Sequence, residues 1–200
     1  MVRFFKQVRD RVKLYIQITQ IGGITRRYFV MNSFDGSMTM LGIILGSWML
    51  KVENPNLVVM MGLGTCLALG VSGFFSAYVS EMAECKRRLK TLESSLLSNL
   101  DDSIYKDAFK FAAIFVALVN GLAPALAAFT SLKPFFLTML SILIIWDAYI
   151  ISFALTFTVL FSLGAYLGKV ARENVLIYGA HMLAAGITVI LIILLLGGGT

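Results

Sequence analysis

The sequence predicts an all-α integral membrane protein with five transmembrane helices, and three observations carry the prediction. Of the 200 residues, 58% are hydrophobic and 14% charged, whereas soluble domains average about 45–50% apolar and about 25% charged. The charges are clumped, and the uncharged runs between them are long enough to cross a bilayer, which takes roughly 20 residues for about 30 Å of hydrocarbon. The Lys and Arg residues also divide unevenly. Fifteen fall in the N-terminal segment, the second-to-third connection and the fourth-to-fifth connection, against Lys51 and Lys133 on the other side. That is a positive-inside signal placing the N-terminus in the cytoplasm and the C-terminus outside, and it supports five spans, because losing or adding one would scramble the bias.

Residues 1–21 read as a basic interfacial amphipathic helix. Phe4, Phe5, Val8, Val12, Tyr15, Ile16 and Ile18 include helical spacings, and Arg3, Lys6, Arg9, Arg11 and Lys13 supply charge. Such a helix lies in the headgroup layer of an anionic leaflet. Gly22 and Gly23 break it and turn the chain into the bilayer. Residues 22–200 then form a single transmembrane domain with spans at about 27–50, 57–80, 108–131, 134–168 and 175–197. Short turns at 51–56, 131–134 and 169–174 separate them, each marked by charge or proline. The fourth run is too long for a simple span, so it tilts or protrudes. Glycines recur in the spans, at Gly42 and Gly46, Gly62 and Gly64, Gly70 and Gly73, and Gly164 and Gly168. Close backbone approach is a main source of helix association in lipid, so these mark helix contacts within the chain or across a dimer.

Several function classes lose support. The net charge of +6 sits between apolar spans and not in a soluble patch, which argues against nucleic acid. No cleavable signal peptide is visible at the start. Cys66 and Cys85 are about 28 Å apart on a continuous helix, too far for a disulfide. No catalytic triad, phosphate loop or zinc-protease motif occurs, so enzymatic chemistry is unsupported.

One span carries a carboxylate. Met31, Asp35, Met38 and Gly42 fall within about 60° of one another on a helix, with Asn32 and Thr39 on the shoulders of the same face. An acid in a span costs roughly 2.5–3.5 kcal/mol or more, and marks a functional site by default. A carboxylate flanked by two thioethers suits a late divalent first-row cation better than Mg²⁺ or Ca²⁺. Taken singly, the methionines are also ordinary lipid contacts or gap fillers, and Asp35 is also a structural partner for Arg26 or Arg27.

Asp147 is a second buried acid, placed near mid-bilayer by its distance from the 131–134 turn. Its face continues through Ala154, Thr158 and Ala165. Two acids at different depths suit a cation path or proton relay, and a hydrogen bond to a neighbouring helix is the alternative. Glu81 and Glu84 lie one turn apart at the cytoplasmic end of the second span, as an entry vestibule for a cation or as a solvated end beside Lys86, Arg87 and Arg88. Glu93, Asp101, Asp102 and Asp107 read as a solvated face, and His181 as a packing hydrogen-bonder. Asn120 and Pro124 mark a kink that frees backbone carbonyls.

Two stretches together resemble the vacuolar iron transporter family, which includes nodulin-21-like and prokaryotic members. Residues 27–42, RYFVMNSFDGSMTMLG, are similar to the family's first span, with Asp35-Gly36 inside an Arg-led helix. Residues 161–168, FSLGAYLG, followed by 179–186, GAHMLAAG, are similar to its final hairpin. The resemblance implies a homodimer exporting Fe²⁺ or Mn²⁺ from the cytosol in exchange for protons, with Asp35 as the membrane acid on a path between subunits. The metal is then a transported substrate, and no cofactor is tightly bound. Asp35, Met31, Met38, Glu81 and Glu84 are the expected metal residues, and Asp147 the proton-path acid. The family's second-span Met and Glu are replaced here by Ser72-Gly73 and Ala77-Tyr78-Val79-Ser80, and the long Glu-rich cytoplasmic domain of plant-type members is absent. The short chain points to a prokaryotic plasma membrane. The alternative is a non-transporting scaffold or regulatory subunit that keeps the family architecture.

Overall fold

The computed structural model describes residues 12–16, 18–19, 21–97 and 103–197. Residues 1–11, 17 and 20 of the expected interfacial helix lie outside these, as do Asp101 and Asp102. Residues 12–16 and 18–19 are helical, and no strand occurs among the described residues. Five long helices follow: α1 (Ile21–Met49), α2 (Pro55–Leu96), α3 (Ile104–Met139), α4 (Ile145–Ala171) and α5 (Val175–Gly197). Each is long and apolar enough to cross a membrane, the mark of an integral membrane protein. With 42 residues, α2 is about 63 Å long. Its uncharged run, 57–80, is enough for the hydrocarbon, and the charged remainder extends beyond it.

Two boundaries differ from the sequence expectation. Gly22 and Gly23 lie inside α1 and do not break it. A glycine in a helix costs only about 1 kcal/mol relative to alanine. Here the cost is offset by Ile21, which is buried with Ala112 and Val116 while Ile24, Tyr28 and Phe111 pack around them. The expected turn at 131–134 is also helix, because α3 runs through Lys133 and Pro134 to Met139, and the turn falls at 140–144. Pro134 removes one backbone donor but sits buried among side chains, a setting in which membrane helices tolerate proline. The real turn closes on Ser141 at φ 57°. The Ile142 N–H donates to the Leu137 carbonyl at 3.0 Å, the left-handed cap usually given to glycine. Lys51 and Arg172 end α1 and α4 in the same conformation, and among the described residues no glycine does.

The chain divides into two compact units: residues 1–29 with 71–122, and residues 30–70 with 123–200. The helices α1, α2 and α3 each contribute a segment to both. In the first unit, the Tyr15 ring packs 5.6 Å from that of Phe111. The Asn120 amide donates to the Gly73 carbonyl at 2.6 Å, and a Cβ on Gly73 would lie 2.7 Å from the Asn120 carbonyl oxygen. That carbonyl is the one to which Pro124, four residues on in the same helix, has no N–H to donate.

In the second unit, Met40 and Ile44 of α1 are buried with Val58, Val59 and Cys66 of α2, Leu132 and Phe135 of α3, and Tyr149 of α4. The Tyr149 hydroxyl donates to the Val52 carbonyl at 2.9 Å, and its ring meets Phe135 edge-on at 5.0 Å. A hydroxyl cluster ties α3 to α4. The Ser152 hydroxyl donates to the Ser131 carbonyl, and Thr156 Oγ1 lies 2.7 Å from Ser131 Oγ. The α4–α5 hairpin closes on glycines: Gly164 lies against the Tyr178 backbone, and Gly168 against Val175. Along α5 only Gly179 and Gly186 are buried.

Candidate functional site

The rotation of α1 is fixed by one polar, small-residue face. The Ser33 hydroxyl donates to the Ala123 carbonyl at 3.4 Å, and Gly36 lies against Pro124. Ser37 is fully buried and donates back to the Ser33 carbonyl at 2.9 Å. Met40 and Ile44 continue that face into the apolar core. The opposite face carries Met31, Asp35, Met38, Thr39, Gly42 and Gly46. Met31 and Asp35 are exposed and Met38 is half-buried. Around Gly42 and Gly46 nothing lies within 4 Å of where a Cβ would stand.

The Asp35 carboxylate has no ion-pair or hydrogen-bond partner among the described residues. The Thr39 hydroxyl donates to the Asp35 backbone carbonyl at 2.7 Å and leaves the carboxylate alone. The alternative pairing with Arg26 or Arg27 is not made; the Arg27 guanidinium lies 5.8 Å from the Tyr28 ring centroid. An unpaired carboxylate on the open side of an apolar helix is costly in lipid. Chemically, the face offers one hard oxygen ligand group with a thioether one turn to either side. No group of three or more His, Cys, Asp or Glu side chains that could hold a metal occurs among the described residues. One copy of this face therefore supplies only part of a coordination shell.

Asp147 stands at a helix start and not deep within a helix. Because α3 ends at Met139, Asp147 falls in the first turn of α4 and is exposed. No side chain caps that helix start at Ile144, and an acid in the first turn offsets the positive end of the helix dipole. Tyr149, half a turn on, bonds to Val52 beyond the end of α1, so roughly 20 Å separate Asp147 from Asp35 along the helix axis. Ala154 and Thr158 continue an exposed face of α4, with the Thr158 and Ser162 hydroxyls bonded back to their own helix.

Glu81 and Glu84 belong to the other unit. Glu81 is half-buried. One oxygen of Glu84 accepts from both Arg87 and Arg88, each at 3.2 Å, so this carboxylate is already compensated. His181 is exposed on α5. The Ser131, Ser152 and Thr156 cluster and the Gly36–Pro124 contact were not foreseen. Each joins residues far apart in sequence, and only the hydroxyls one turn apart on α4 hinted at the first.

Five helices each long and apolar enough to cross a membrane define a polytopic membrane protein. The chain is 31% identical over 167 residues to the Uncharacterized protein MJ0645 of Methanocaldococcus jannaschii, covering 82% of this chain and 83% of that protein, and it belongs to the same family. No family model matches the chain, and no solved structure matches it.

Proposed function

We propose that the chain is a homodimeric secondary transporter that exports a divalent transition-metal cation, Fe²⁺ or Mn²⁺, from the cytoplasm in exchange for protons. The observation that carries this reading is the Asp35 carboxylate, unpaired on an open face of α1 with Met31 and Met38 a turn away on either side. A second copy laid on that face doubles the ligands and shields the acid from lipid. Gly42 and Gly46, four residues apart, permit close approach of two helices there. Asp35 then binds the cation and a proton in turn, and the thioethers bias it toward softer metals. The Lys and Arg distribution supports a cytoplasmic N-terminus, and the resemblance of residues 27–42 to the first span of vacuolar iron transporters supports the substrate.

The test is flux into proteoliposomes holding the purified chain, with Mn²⁺ or Fe²⁺ outside and a pH gradient imposed. The expected result is metal movement that follows the gradient and stops when it collapses, with no movement of Mg²⁺. Metal flux indifferent to the gradient contradicts the exchange. A second reading, a scaffold or regulatory subunit of the same architecture, is favoured by the replacement of the second-span Met and Glu with Gly73 and Ala77. It is supported if no metal moves under any gradient.

A further inference from the structure

The first unit holds a cavity of about 590 Å³ whose lining includes the charged Glu84, Arg87 and Arg88 together with the apolar Ile24, Leu92 and Phe109. Its size falls in the usual range of small-ligand sites, about 300–1,000 Å³. Its chemistry is divided. Two guanidiniums share a single carboxylate oxygen, leaving the wall with a surplus of one positive charge. Each spends one of its five N–H donors on Glu84. The side chain of Arg88 is 44% exposed, against 78% for Arg87. The hydroxyls of Thr19 and Thr91 also line the space, but their protons go to the Tyr15 and Arg87 carbonyls. Donation into the cavity therefore falls to the guanidiniums. A cation is disfavoured, because Glu84 is compensated and two guanidiniums repel it. A planar fork matches a phosphate oxygen pair.

The apolar wall narrows the choice further. Phe109 is buried, and Ile24 and Leu92 are half-buried. Inorganic phosphate has no use for such a wall, whereas an amphiphile with a phosphate head does. The cavity's arginines also stand just beyond the uncharged run of α2. Arg87 and Arg88 follow the end of the uncharged run at Ser80 by about 10–12 Å along α2, and long Arg side chains reach back along apolar surface while keeping their charge in the headgroup layer. Basic pockets at such levels bind anionic lipid headgroups.

We propose that this cavity binds an anionic phospholipid, its phosphate held by Arg87 and Arg88 and its glycerol and first acyl carbons laid against Ile24, Leu92 and Phe109. The site does not depend on transport, so its test stands apart from that of the metal reading. The full chain, purified in detergent, is titrated with phosphatidylglycerol and with phosphatidylcholine, and bound lipid is counted by native mass spectrometry. The expected result is a preference of tenfold or more for phosphatidylglycerol. Replacing both arginines, Arg87→Gln with Arg88→Gln, brings the preference close to parity. Lys90→Gln, on the same helix but off the cavity wall, leaves it unchanged. Glu84→Gln removes the competing carboxylate and strengthens phosphatidylglycerol binding severalfold, a gain that misfolding cannot imitate. Equal retention of the two lipids by the unaltered chain overturns the proposal, as does an undiminished preference in the double variant or weaker binding in Glu84→Gln. Displacement of the lipid by millimolar inorganic phosphate also overturns it, since the cavity is then a site for the free anion.

Discussion

Gly36 and Pro124 meet where α1 packs on α3, with no space for a side chain between them. A Cβ on Gly36 would lie 2.7 Å from the Pro124 Cα, and its carbonyl oxygen is closer still. This contact sets the direction of the next residue. Asp35 sits 100° around the helix from Gly36, so seating Gly36 on α3 turns the carboxylate outward. The Asp-Gly pair thus joins a packing constraint to an exposed charge.

The contact predicts a sharp contrast between glycines of one helix. Gly36→Ala must displace proline backbone, which does not yield, and overpacking of this kind costs about 1–3 kcal/mol. Gly42→Ala meets no atom within 4 Å and leaves the folded monomer unchanged. Equilibrium unfolding in mixed detergent micelles measures both. Equal midpoints for Gly36→Ala and wild type would refute the seating of α1 on α3.

The hydroxyl cluster between α3 and α4 makes a second prediction. Thr156 is fully buried, and its oxygen is within hydrogen-bond distance of both Ser131 Oγ and the Ser152 carbonyl. Thr156→Val keeps the shape and removes the hydroxyl. Side-chain hydrogen bonds between membrane helices average about 0.6 kcal/mol and reach about 1.7, so the loss falls in that range. The same unfolding assay reads it, and a stability gain in Thr156→Val contradicts the network.

Cys85 offers a pH test in the part of α2 beyond its uncharged run. Its thiol lies 3.1 Å from the Phe109 carbonyl oxygen. Burial, with the Glu81 carboxylate adding to it, pushes the thiol up to about 11 despite Arg88 nearby. The group therefore stays protonated, and unreactive, until the solution is strongly alkaline. An unperturbed cysteine titrates near 8.5. In a Cys66→Ser background, maleimide labelling of Cys85 is expected to be slow at pH 7 and to rise about tenfold per pH unit through pH 9. A rate that levels off by pH 9 shows an ordinary exposed thiol and contradicts this packing.

How far the sequence speaks for itself varies from element to element. The five apolar helices were legible because uncharged runs of this length have few other uses. The third-to-fourth turn was not. Lys133 and Pro134 carry the local signals of a turn yet lie in helix, while the true turn at 140–144 is apolar and places Ser141, not glycine, at positive φ. Misplacing that turn by about nine residues moved Asp147 from a helix start to mid-bilayer. The face of Met31, Asp35 and Met38 followed from helical periodicity alone. Its openness did not, because that depends on Gly36 finding Pro124 on another helix. Likewise, Glu84 reads either as a vestibule acid or as part of a helix end beside Lys86, Arg87 and Arg88, and periodicity does not say that Arg87 and Arg88 converge on one of its oxygens.

In the proposed exchange, the open carboxylate of α1 carries the transported cation and proton. The most direct measurement compares Mn²⁺ flux under a pH gradient for wild type, Asp35→Asn and Asp147→Asn, each verified as folded. Asp147 contributes to a helix start worth about 0.3–1 kcal/mol, so Asp147→Asn is expected to transport near the wild-type rate, while Asp35→Asn loses proton-coupled flux by at least tenfold. Equal flux in wild type and Asp35→Asn would contradict the role assigned to Asp35.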